Sequence, residues 1–199
     1  MSISRTNDGS KDLPIILGVD PGSLLAGYAF IQAKIPHPRT PRDYRLLDAG
    51  VLKAKATLPA LERIGLMHGG LFGLMEEYKP QILVMEKAFY DKNPATTIRL
   101  GEVRGAFISA AARLSIPLEG ISPAEVKKLI AGNGRATKEQ VSSAVKSLMG
   151  FDRGQMPFDV TDAIAIAMAH GLNMVVQQYV PSNAQRSRAS EERNEIQKT

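Results

Sequence analysis

A chain of 199 residues, 44% hydrophobic and 23% charged, has room for one domain with a substantial core and does not have the composition of a disordered polymer. Lysine and arginine number 25 against 20 acidic residues, and the resulting +5 favours a polyanionic partner without requiring one. The absence of cysteine excludes disulfides and thiolate metal sites. Neither a signal-peptide core nor a run of about 18 apolar residues occurs, so a soluble cytoplasmic protein with no membrane association is expected.

In chain order, residues 1–12 carry no apolar periodicity and read as a loose arm before a domain spanning 13–180. IILGVD, at 15–20, is a short apolar run that stops at Pro21-Gly22, as a buried strand does. A second strand starts from Gly27. After the turn-prone stretch Pro36–Pro41, a third runs from about Tyr44 to Ala54, a β-meander opening. The period then changes: Leu61, Ile64, Met67, Leu71, Leu74, Met75 and Tyr78 follow helical spacing up to Pro80.

ILVMEKA, from Ile82, returns to a buried-strand pattern, Asn93 to Leu114 reads as helix, and PLEGI as one more short strand. Ser122-Pro123-Ala124-Glu125 and Thr137-Lys138-Glu139-Gln140 are capping boxes that open two further helices. The alanine-rich segment from about Asp159 to Val176 reads as a packed helix, and 181–199, with a single isoleucine, as a disordered tail. The sum is an α/β protein with a mixed sheet.

Four carboxylates stand out. Asp20 ends the first strand and Glu86 lies near the end of the fourth, both in apolar runs where an ionised group is costly without a partner. A parallel central pair would set them side by side. Asp159 and Asp162, three apart at a helix start, share a face. Taken singly, each aspartate is most simply a turn or cap residue, and Glu86 could be a surface residue at a strand end. Together, four such groups repel unless cations neutralise them, and oxygen-only ligands suit Mg²⁺ or Mn²⁺. Paired ions roughly 3.5–4 Å apart, held by such a set, cleave phosphodiesters.

These segments resemble the RuvC family of crossover (Holliday) junction endodeoxyribonucleases. ILGVDPGSLLAGYAFI at 16–31 is similar to the family's opening strand pair, and EKAFYDKNPATTIRLGEVRGAFISAA from Glu86 to its second carboxylate segment. VKKLIAGNGRATKEQV from Val126 is similar to the basic segment, and DVTDAIAIAMAH from Asp159 to the terminal signature.

The resemblance implies an RNase H-like fold, with a mixed five-stranded sheet flanked by helices. It implies a catalytic, metal-binding tetrad of Asp20, Glu86, Asp159 and Asp162, served by Mg²⁺ (Mn²⁺ substituting), two ions per site. It further implies Phe89 as the aromatic that stacks on or wedges between bases, with Tyr90 assisting and Lys92 and Asn93 near the cleaved strand. Lys127 and Lys138 match positions used at the DNA backbone, with Lys128 and Arg135 as neighbours. Arg104 and its flanking glycines read as helix-packing residues.

The activity implied is paired, symmetric nicking of four-way junctions in DNA recombination and repair. The implied protein is a homodimer that works with the RuvA–RuvB branch-migration complex in the bacterial cytoplasm, near the nucleoid. Gly101, Gly105, Ala106 and Ala110 would permit a close helix approach across the dimer, although packing on the sheet accounts for them equally. Three alternatives stay open at this level: a sugar-kinase-like phosphate loop at GVDPGS, an RNase H-like nuclease acting on RNA precursors, and a junction binder without catalysis.

Overall fold

The computed structural model describes residues 13–35, 38–87, 93–150 and 156–179, with side chains through 174. The N-terminal arm, Phe89, Tyr90 and Lys92, and the tail lie outside the described residues, as do Pro36 and His37 of the proline-rich stretch.

Five strands form one sheet in the order β3-β2-β1-β4-β5. The antiparallel meander comprises β1 (Ile15–Asp20), β2 (Leu25–Ala33) and β3 (Tyr44–Lys53). Next, β4 (Ile82–Glu86) joins the other side of β1 in parallel, and β5 (Leu118–Ile121) joins β4 in parallel. The crossovers are helical: α1 (Ala60–Tyr78) leads to β4 and α2 (Pro94–Arg113) to β5. The chain then continues as α3 (Pro123–Ala131), α4 (Lys138–Met149) and α5 (Phe158–Tyr179). This is the mixed five-stranded α/β sheet the sequence leads one to expect, with β2 starting two residues earlier.

Side chains alternate across a strand, so each strand divides its residues between two cores. Leu17, Val19, Leu83 and Met85 face α1 and α2, where Phe30, Met67, Leu71 and Phe107 complete one apolar layer. Ile16 and Val84 face the other way, into a layer closed by α3, α4 and above all α5. By the same alternation Gly18, Asp20 and Glu86 belong to the α5 face.

Two glycines let α5 lie almost on the sheet backbone. A Cβ at Gly18 would stand 2.3 Å from the carbonyl oxygen of Ala163, and one at Gly27 would stand 1.9 Å from that of Asp159. No other residue type fits either position. Gly27 pairs directly with Asp20 across the β1–β2 ladder, so this contact fixes the N-terminus of α5 beside that carboxylate.

The helix starts follow their sequence signals. Ser122 accepts from the Glu125 amide and Thr137 from the Gln140 amide, each with the reciprocal bond in place, while αL glycines at 132 and 150 close α3 and α4.

Candidate active site

Because β1 and β4 are parallel neighbours in register Val19–Met85, their next residues, Asp20 and Glu86, emerge at the same end of the sheet and on the same face. The N-terminus of α5, pinned against Gly27, brings Asp159 and Asp162 to that face from above. Since α5 starts at Phe158, both aspartates lie inside the helix rather than at its N-cap position.

The electrostatics record how closely these groups are set. Burial, then the carboxylates of Asp162 and Glu86, push Asp20 from its ordinary 3.8 up to about 7, with Asp159 adding to the rise and Lys138 opposing it. Glu86 is raised by burial and by Asp162, against Lys138, Lys127 and Arg104. Burial also raises Asp162, with Lys138 the main opposing charge. Carboxylates raised by burial and by one another's charge are ones that a cation would relieve.

As the side chains stand, no three His, Cys, Asp or Glu among the described residues are arranged to enclose an ion. The fit therefore rests on the donor set: partly buried, mutually repelling carboxylates with no imidazole or thiolate among them, which suits a hard divalent cation.

The basic residues divide into two groups. Lys138, at the start of α4, places its ammonium 3.5 Å from the Asp162 carboxylate. Lys127, on α3, is half-buried and acts electrostatically on both Glu86 and Asp162. Lys128 and Arg135 are exposed on the same α3–α4 segment, and nothing in the geometry draws them to the carboxylates. Asn93 caps α2, its side chain accepting from the Ala95 amide.

Arg104 departs from its reading as a packing residue: its guanidinium donates to the main-chain carbonyl of Glu86. Only the RG step within the α2 segment could have hinted at this, since the contact joins residues 18 apart in sequence. Gly18 and Gly27 were likewise silent, although a glycine inside a strand pattern is the usual mark of close backbone approach.

The small residues of α2 separate as well. Ala110 is fully buried, whereas a Cβ at Gly101 or Gly105 would meet nothing within 4 Å. Those two glycines lie on the outward face of α2, next to Ile98 (64% exposed) and Ile108 (41%). Sheet packing thus accounts for Ala110 and not for the glycines. No helix among the described residues is long and apolar enough to cross a membrane.

The family model for the crossover junction endodeoxyribonuclease RuvC matches residues 16–170. The RuvC of Halothermothrix orenii is 34% identical over 157 residues, covering 79% of this chain and 92% of that protein. The RuvC of Chlorobium chlorochromatii is 39% identical over 154 residues, or 77% of each chain. Among solved structures, Thermus thermophilus RuvC in complex with a Holliday junction substrate superposes with a TM-score of 0.74 at 28% identity, over 82% of this chain and 96% of that one.

Proposed function

We propose that this chain, which belongs to the RuvC family of crossover junction endodeoxyribonucleases, is a Holliday junction resolvase that makes paired symmetric nicks in four-way DNA during recombination and repair. The observation that carries the reading is the convergence of Asp20, Glu86, Asp159 and Asp162 on one sheet face, where burial and the neighbouring carboxylates push Asp20 up to about 7.

Asp20, Glu86, Asp159 and Asp162 would hold Mg²⁺, or Mn²⁺ in its place, as a pair of ions. When bound, such ions supply an activated water and neutralise the charge that develops on the attacked phosphodiester and its leaving oxygen. The chain's own part is positional. The strand ends and the N-terminus of α5 orient the carboxylates, and Gly27 keeps that helix against the sheet. Lys138 and Lys127 draw the scissile phosphate toward an otherwise anionic cluster, and Lys128, Arg135, Lys92 and Asn93 contact the flanking backbone. Phe89 and Tyr90, in the segment that follows β4, supply stacking surface for unpaired bases at the crossover. The products carry 5′-phosphate and 3′-hydroxyl ends that a ligase can seal.

Two nicks on strands of like polarity need two sites related by a two-fold axis, hence a homodimer. The outward face of α2, with Ile98, Gly101, Gly105 and Ile108, is the surface proposed for that axis. The domain proper spans 13–180. The protein works in the bacterial cytoplasm, at the nucleoid, with the RuvA–RuvB branch-migration complex.

The test incubates the protein and Mg²⁺ with a labelled mobile junction, a linear duplex and a structured RNA, beside Asp20→Asn. Symmetric nicks on the junction alone, lost in the variant with junction binding retained, are expected. Equal cutting of RNA, or no junction cleavage across several sequences, would falsify the reading.

A further inference from the structure

We propose that Arg104 is a positioning residue for Glu86: it holds the end of β4 from the side of the sheet opposite the carboxylates and so sets where the Glu86 carboxylate meets a divalent cation. The inference rests on the resolvase reading, in which Glu86 is a metal ligand.

Three observations lead to it. First, the β1–β4 ladder ends at Val19–Met85, so Glu86 is the first residue of β4 without a register partner on β1. Second, the amide of Lys87 donates to the carbonyl of Ile121 on β5 at 2.8 Å. Amide and carbonyl of one trans peptide point in opposite directions, so the Glu86 carbonyl turns away from β5, toward the gap that β1 has left. Third, the Arg104 guanidinium occupies that position and donates to this carbonyl. It comes from α2, which packs on the Leu17–Val19–Met85 face, whereas the Glu86 side chain leaves from the other face. Besides the effect of its charge on the Glu86 carboxyl, Arg104 therefore acts on Glu86 through the main chain and takes the place of a missing ladder donor.

The arrangement has a mechanical consequence. Asn93, seven residues after Glu86 in the sequence, caps the same helix that carries Arg104. Arg104 thus ties α2, which Asn93 caps, to the strand end bearing Glu86. A ligand carboxylate must be held to within about half an ångström of its working position, and a strand's last residue, with its carbonyl unbonded, does not meet that standard. A packing role alone would need the arginine stem; the positioning role needs the guanidinium's donors.

The full-length protein is compared with Arg104→Met, which keeps the stem and removes the donors, and Arg104→Lys, which restores one donor. Each is titrated with Ca²⁺ by calorimetry without DNA. Each is then assayed for single-turnover cleavage of a labelled junction over a range of Mg²⁺ concentrations, with junction affinity measured separately.

In Arg104→Met the Ca²⁺ affinity is expected to fall about 10-fold and the Mg²⁺ needed for half-maximal rate to rise in step, as for other groups that orient metal ligands. Junction affinity stays unchanged and Arg104→Lys regains most of the loss. Unaltered Ca²⁺ affinity and Mg²⁺ requirement in Arg104→Met overturn the inference, as does a slower rate that follows only a lowered melting temperature. Should Arg104→Met fail to fold, Arg104→Gln and Arg104→Lys decide by the same comparison. A wild type that neither binds Ca²⁺ nor cuts junctions overturns the resolvase reading along with this one, whereas a competent wild type beside an equally competent Arg104→Met overturns this one alone.

Discussion

The two faces of the sheet are built for different ends. Against α1 and α2 the layer is filled by large side chains, Phe30, Phe107, Met67, Leu71 and Met85, that interdigitate without polar atoms. Against α5 the spacing collapses at Gly18 and Gly27, the helix contributes alanines 163, 165, 167 and 169, and the end of the layer opens onto carboxylates. Bulk sets the distance on one face and its absence sets it on the other. The lesson is that a site of repelling charges is positioned by backbone held against backbone, where few rotamers remain to be chosen, while adaptable packing is kept on the reverse side.

That contrast can be broken most sharply at the carboxylates. Asp20→Asn is expected to lower single-turnover junction cleavage by about three orders of magnitude or more, the scale seen when one member of a catalytic set is removed. It should also raise the melting temperature of the metal-free protein, because it removes a charge that Asp162 and Glu86 oppose. A lowered melting temperature would mean that the cluster is not strained.

Phe107→Ala tests the opposite layer. It empties a fully buried position and should cost about 3–5 kcal/mol in denaturant unfolding. Below the transition, metal affinity and cleavage per folded molecule should be unaltered. A parallel loss of metal affinity would show that the faces are not independent.

Gly27→Ala joins the two properties. A methyl group 1.9 Å from the Asp159 carbonyl oxygen must push α5 outward, at a cost of about 1–3 kcal/mol. Divalent-ion affinity should weaken with it, measured as a smaller rise in melting temperature on adding Ca²⁺. Stability loss with full ion affinity would separate Gly27 from the site.

A last effect is that of pH on the metal-free protein. Asp20 titrates near 3.8 when unfolded and about 7 when folded, so between these values the folded state binds more protons. Stability should therefore fall as pH rises from about 4 to 7, by at most about 1.4 kcal/mol per unit from this group. The raised Glu86 and Asp162 act in the same direction. Ion affinity should climb over the same window, by up to about tenfold per unit for each proton displaced. Melting curves at several pH values, with and without Ca²⁺, measure both slopes; a flat metal-free curve would mean that Asp20 is not raised.

Local pattern was enough for much of this molecule. The apolar runs ending in Asp20 and Glu86 specified buried strands with a carboxylate at the tip, because an acidic residue closing such a run has few other places to be. Ser122 and Thr137 marked helix starts because a capping box satisfies its own backbone within four residues and needs no distant partner. The four motif segments, in order, were specific enough to identify the family.

Other features came only with the tertiary structure. Lys138, at the start of α4, and Asp162, on α5, lie 24 residues apart, so no local periodicity predicts their 3.5 Å approach. Arg104 looked like any helix residue until β4 supplied the carbonyl it serves. Gly101, Gly105 and Ala110 share one helix and one pattern of small side chains, yet the first two face outward and the third faces the core. The physical reason is common to all three cases. Strand and helix periods and caps are short-range properties of the chain, whereas which groups meet across elements depends on how the helices seat on the sheet, and that is decided by packing summed over the whole fold.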